Sequence, residues 1–280
     1  MSFKGFSPGL ICRGKQYAEH TLFEELDLVP CESGIHFCED PFEVLSHYPL
    51  INGDGDLNEY ALVQSRRKAI NVDGAKYCTA ALYVDRRLTL REYVEEAFKF
   101  KTRDAPRRTW DRSSIATDHY ASHVASNTPG ARISAAASYS CIFASGQYDH
   151  LTVSGDNCSV LSVGDDVTIA SSGDCSQIVT EGYGATISSS GRYVRIHTLS
   201  DCANVSINGV GAMVTANGSD TVIYLSGRGA VFRGIIGTVF IVYDGIVEII
   251  TVDGDLIKAN TYYTFDGGKV VEWERTRNEE

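Results

Sequence analysis

Arg13, His36, Glu39 and Tyr48 are the side chains of this sequence whose types and spacing invite a chemical reading. A guanidinium, an imidazole, a carboxylate and a phenol held together can bind an anion and move a proton. The spacing of Arg13, His36 and Glu39 reads first as a structural polar network around a small α/β core. His47-Tyr48-Pro49 and the pair Glu39-Asp40 suit acid–base or metal roles. Two adjacent carboxylates before a proline also suit a helix N-cap, where negative charge meets the positive end of the dipole. "NGDGDLNE" (52–59) matches a calcium loop in part and lacks its remaining ligand spacing, so it reads as a flexible turn. Further carboxylates (Asp149, Asp156, Asp165, Asp166, Asp174, Glu181, Asp201 and Asp220) are scattered through glycine-punctuated segments, and only "GDD" at 164–166 looks ligand-like. A calcium-binding nonapeptide solenoid needs GGxGxD turns. The reading assigns no catalytic residue, no metal and no cofactor.

The element that must carry most of these residues is a repeat. Gly146, Gly155, Gly164, Gly173, Gly182, Gly191, Gly209, Gly218 and Gly227 stand in a nine-residue register, with Ser200 in the one gap. Five residues past each register position is a large apolar residue, sixteen times from Ile115 through Ile169, Ile178, Ile187 and Ile196 to Ile241 and Ile250. Two residues before and after it the side chains are mostly small, and period-two alternation points all three positions one way. A small–large–small inner face fits a flattened coil with two close walls, and glycine suits its corners, where positive φ is cheap. The pattern predicts a parallel β-solenoid over 110–254 in nine-residue half-coils, eighteen residues per coil, eight coils in all.

Residues 1–103 lack the register and read as a small α/β domain. "LTLREYVEEAFKF" (88–100) predicts a helix with a Thr89/Glu92 capping box and an apolar face of Leu90, Tyr93, Val94, Ala97 and Phe98. Residues 60–64 and 79–84 read as strands, 101–112 as a basic linker, and 255–280 as a C-terminal β cap and tail, with strands around a turn at Asp266–Gly268. The fold class is therefore mainly β. The net charge of −11 over 280 residues argues against non-specific nucleic-acid or acidic-membrane binding. Tract 134–250 holds ten acidic residues against four arginines and no lysine, net −6, too sparse for strong duplex mimicry. No apolar run is long enough for a membrane span, and the N-terminus lacks a signal-peptide core. The eight cysteines form no CxxC pair and read as reduced, buried, small apolar residues.

"KGFSPGLICRGKQY" followed by "CESGIHFCEDPFEVLSHY" resembles an N-terminal domain of unknown function found in phage and prophage proteins, over about the first 100 residues. The repeat tract resembles the nonapeptide arrays that follow that domain. The resemblance implies a phage-related architecture and the cytoplasm of an infected or lysogenic bacterial host. Arg13-Gly14 with "SGIHFCEDPFEVLSHY" also resembles the ADP-ribosyltransferase core. That resemblance implies that Arg13 binds a dinucleotide, His36 or Tyr48 stacks on nicotinamide and Glu59 orients the ribose, although His36 replaces the usual aromatic and Glu59 follows at very short spacing.

The outward slots of the solenoid differ between its walls. One wall is mostly small and polar: His150/Thr152, Thr168/Ala170, Thr186/Ser188, Asn204/Ser206 and Val222/Tyr224. The other sets Leu161, Val179, Met213 and Val231 outward beside Arg195, His197 and Arg233. Apolar residues interleaved with arginine characterise protein interfaces, so this wall is the expected interaction surface, covered by another molecule or by the chain itself. The function expected is a non-enzymatic phage-type binding protein that presents a rigid surface to a host protein, such as a defence or DNA-processing enzyme that it inhibits. A homodimer through the same patch, an ADP-ribosyltransferase-like enzyme and a virion or adhesion rod are the alternatives.

Overall fold

The computed structural model describes residues 2–26, 33–103 and 114–274. Cys31, most of the linker, positions 110–113 of the expected solenoid and the tail 275–280 lie outside the described residues. The chain divides into two compact units, Met1–Arg108 and Thr109–Glu280.

The first unit is built on a seven-stranded sheet in the order Thr21–Glu24, Ala81–Leu88, Glu59–Ser65, Ser2–Phe6, Ile35–Cys38, Lys76–Thr79, Ile70–Asn71. Every pairing in it is antiparallel. The helix runs Leu90–Thr102 and starts on the expected capping box, with Thr89 Oγ1 accepting from the Glu92 N–H and the Glu92 carboxylate accepting from the Thr89 N–H. It buries Tyr93, Val94 and Ala97, and the Tyr93 ring stacks on Tyr60 at 4.1 Å between centroids. Phe6, Tyr17, Phe37, Val63 and Val84 belong to a separate core cluster of this unit.

The second unit is a parallel β-solenoid of about seven turns from residue 114 to 242. Its strands alternate between two sheets, each pairing with the strand eighteen residues on: Ile169 with Ile187 in the first wall, Ile178 with Ile196 in the second. These four isoleucines are 0–1 % exposed. The ladder glycines do not supply the positive φ expected of them. The left-handed residue lies two positions further on, as at Tyr148, Asn157, Asp166, Cys175 and Tyr193, with φ between 52° and 59°. The glycines answer to coil stacking instead. A Cβ on Gly173 would sit 1.9 Å from the carbonyl oxygen of Gly155 in the coil below, and one on Gly209 1.8 Å from that of Gly191. Ser200, the one ladder position without glycine, stacks on Gly182. Gly182 alone among the ladder glycines has positive φ (117°), and its carbonyl accepts the Asp201 N–H at 3.1 Å.

The register ends one residue short. Ile223 pairs with Phe240, seventeen residues on, so Phe240 takes the inward slot expected for Ile241. The strand Val247–Thr251 then turns back antiparallel and sets Ile250 opposite Phe240. This corrects the eighth coil: the first wall closes with a hairpin. The second wall closes with Tyr263–Asp266 and Lys269–Glu272, a hairpin laid antiparallel on Val231–Gly234 around Gly267-Gly268.

Candidate functional site

Ser2–Phe6 and Ile35–Cys38 pair only at Phe3 and Cys38. Beside this short pairing lies a cavity of about 600 Å³ within the first unit, lined by Lys4, Cys12, Arg13, His36, His47, Tyr48 and Lys76 among others. Its size is that of a small-molecule site. Lys4 projects from a strand that is almost wholly buried and is itself 4 % exposed. Its ammonium donates to the His36 carbonyl at 3.0 Å and to Cys12 Sγ at 3.3 Å. Burial pushes its pKa down.

Cys12 and Arg13 belong to the hairpin Ile11–Cys12/Lys15–Gln16, whose two-residue turn has φ of 50° at Arg13 and 74° at Gly14. Positive φ at both central residues marks the mirror-image turn that matches strand twist. Arg13 holds this conformation against a cost of about 1–2 kcal/mol for a side chain with a Cβ. Tyr48 follows the short helix Glu43–Ser46, which Asp40 introduces by accepting the Phe42 N–H at 2.8 Å. The Tyr48 side chain lies against Gly5 so closely that a Cβ there would come within 2.5 Å of its Cβ and 2.6 Å of its ring. The Tyr48 hydroxyl donates to Cys12 Sγ at 3.0 Å, and burial with this bond pushes the phenol well above its ordinary pKa.

The charge in the cavity is positive. Lys15 pairs with Glu25, and Lys76 pairs with Asp73 at 3.3 Å. Lys4 and Arg13 form no ion pair among the described residues. His36 shows the result: burial, then Arg13, Lys4, Lys76 and His47, all lower its pKa. Its Nε2 is buried with no hydrogen-bond partner among the described residues. His47 is lowered too, first by burial and then by Lys76. The cavity thus disfavours further positive charge, and a bound anion would relieve it.

Of the N-terminal residues singled out in the sequence, Arg13, His36 and Tyr48 line this one cavity, and Glu39 is exposed and does not. Glu59, the ribose-orienting carboxylate of the transferase resemblance, also lies outside the lining. It is taken up by Arg87 at 2.9 Å and the Leu10 N–H at 2.7 Å. Lys4 and Cys12 escape the sequence reading. The signal for Lys4 is a lysine inside the apolar strand "FKGF". Cys12 corrects the reading of the cysteines as uniformly buried: Cys12 and Cys202 are half-buried and Cys175 is exposed, while Cys38, Cys78, Cys141 and Cys158 are buried.

The residues of the expected interaction wall are less exposed than their outward slots suggest. Leu161 and Val179 are fully buried, His197 is 3 % and Val231 8 % exposed, and Arg195, Met213 and Arg233 are half-buried. Toward its end the wall is covered by Tyr262, whose hydroxyl lies 3.2 Å from Thr215 Oγ1 and whose ring lies under the Arg233 guanidinium at 4.4 Å. The first wall stays open, with Thr152, Thr168, Thr186, Ser188, Asn204 and Ser206 exposed. The turn carboxylates serve the coils: Asp156, Asp165, Asp174 and Asp201 each accept the N–H of the residue eighteen further on, at 2.7–3.0 Å. No helix of the described residues is long and apolar enough to cross a membrane.

No curated protein and no solved structure matches this chain. Residues 1–96, which include every residue lining the cavity, match the model of a family described as a domain of unknown function (DUF7666), and that stretch of the chain is similar to this family.

Proposed function

We propose that this chain is a binding protein whose N-terminal domain takes a small anionic ligand, one bearing phosphate or carboxylate, in the Lys4–Arg13–His36 cavity. The observation that carries the reading is the convergence of Lys4, Arg13 and Lys76 on one cavity in a protein of net charge −11. Cations gathered against the overall field of a protein are placed for a local anion. The solenoid supplies a rigid surface in this reading. Its open first wall meets a protein partner, a host protein if the architecture is phage-type.

Calorimetric titration of the full chain with inorganic pyrophosphate tests the ligand class. Saturable binding is expected, weakened by about tenfold or more in Arg13→Asn, the loss of one charge-assisted contact. Asparagine before Gly14 is favoured in this turn, so the hairpin persists. Absence of binding, or equal affinity in the variant, would overturn the reading.

A further inference from the structure

Among the described residues two thiols line the cavity, and their surroundings differ. Cys38 is 4 % exposed, and burial pushes its pKa up to about 12. A thiol so placed stays protonated and inert. Cys12 is half-buried on the cavity wall and accepts two hydrogen bonds at once, from Lys4 Nζ and the Tyr48 hydroxyl. Both donors are rigidly held. Lys4 is also fixed by the His36 carbonyl, and its charge lies 5.2 Å from the centroid of the Phe6 ring and 5.6 Å from that of Tyr17. Tyr48 is fixed by the contact with Gly5, by its N–H on the Val44 carbonyl at 2.9 Å and by its own carbonyl, which accepts from the Tyr60 hydroxyl at 3.0 Å. A cysteine that only filled space would need neither donor. Two hydrogens aimed at one sulfur are the arrangement that stabilises a thiolate, the nucleophilic form. Arg13, the next residue, stands on the same cavity beside it.

We propose that Cys12 is a nucleophile and that the ligand of the cavity is an electrophile carrying an anionic group. The proposal rests on the anion-binding reading above and adds the covalent step. In that step the thiol proton leaves to water, and the Lys4 ammonium, 3.3 Å from the sulfur, holds the thiolate. The sulfur forms a bond to the electrophilic carbon, and the leaving group departs with the electron pair of the bond that breaks. The Tyr48 phenol, held protonated, remains a donor to the sulfur throughout.

Two reagents that differ in charge provide the test. Iodoacetate and iodoacetamide both alkylate a thiolate with loss of iodide, and only the first is an anion. Native full-length protein is treated with each, and site-specific rates are read by mass spectrometry of peptides. Cys175, exposed on the solenoid, is the reference thiol. Cys12 is expected to react with neutral iodoacetamide about tenfold faster than Cys175, as befits a stabilised thiolate. The ratio of iodoacetate to iodoacetamide rates is expected to be higher at Cys12 than at Cys175, and to fall to the Cys175 value in Arg13→Asn. Tyr48→Phe, which removes one hydrogen and keeps the ring on Gly5, is expected to slow Cys12 with both reagents. Iodoacetamide reacting no faster at Cys12 than at Cys175 overturns the nucleophile, even where pyrophosphate binds. A fast Cys12 without preference for iodoacetate overturns the anionic electrophile, and pyrophosphate binding then decides separately whether the cavity takes anions at all.

Discussion

Lys4 and Asp149 are two charged side chains placed where an apolar residue would cost less, and each reports on its surroundings. Lys4 has a sulfur and a carbonyl as partners, and both belong to the cavity. Asp149 occupies an inward slot of the solenoid that elsewhere holds Ala131, Ser140, Cys158 or Val167. Its Oδ1 accepts the Ala131 N–H at 2.8 Å, and its Oδ2 is buried without a partner among the described residues. Burial raises its pKa from 3.8 to about 6. The folded state therefore holds this proton more tightly than the unfolded chain. The associated stability is complete below pH 3.8 and is lost as pH rises through about 6, on the order of 3 kcal/mol in all. Asp149→Asn is neutral throughout. Its stability relative to the parent is expected to rise by up to that amount between pH 4 and pH 7, read from urea midpoints at the two values. An equal difference at both would place the raised proton affinity elsewhere. The sequence holds the clue, since Asp149 is the one carboxylate in a column of small residues, but it also sits among the acidic turn residues that suggest calcium.

The half-coil was legible because it is dictated locally: period two fixes what points inward, and period nine fixes where the chain turns. The capping box of the helix was legible for the same reason. The role of the glycine was not, because the constraint comes from the next coil and not from the turn. Paired substitutions separate the two effects. Gly173→Ala drives a methyl into the Gly155 carbonyl and is expected to cost about 3 kcal/mol or more. Cys175→Gly, two residues on, relieves a left-handed cysteine at φ 56° and is expected to gain up to about 1 kcal/mol. Thermal melts of both variants check the opposite signs; a silent Gly173→Ala would mean the coils stack less closely than described. The burial of Leu161 and Val179 was not legible either, because period two marks them as outward from the coil and says nothing of their exposure. The cavity was legible in part. Arg13, His36 and Tyr48 stand out by type, whereas Lys4 and Cys12 acquire their roles only when the strands and the Arg13-Gly14 turn bring them together.

At the scale of the whole molecule, a stack of parallel strands has no intrinsic end, and the chain must stop it. The first wall is stopped by the one-residue shortening before Phe240 and the strand that folds back on it. The second is stopped by the hairpin that buries Tyr263, whose ring centroid lies 6.4 Å from that of Phe232. Ending the chain after Gly254 removes the second device and leaves the Val231–Gly234 strand as an open edge. Such a truncation is expected to retain the strand signal in circular dichroism but to self-associate in sedimentation velocity; a monodisperse monomer would show that the hairpin is not what closes the stack. The alternation of walls has a consequence for how such a gene can change length. One wall is polar and open while the other buries Leu161, Val179 and His197, and consecutive nine-residue units belong to opposite walls. Slippage or unequal crossing-over that adds or removes a single unit would place every later strand on the wrong side. Heritable length variants should therefore step by eighteen codons, although the sequence itself repeats every nine.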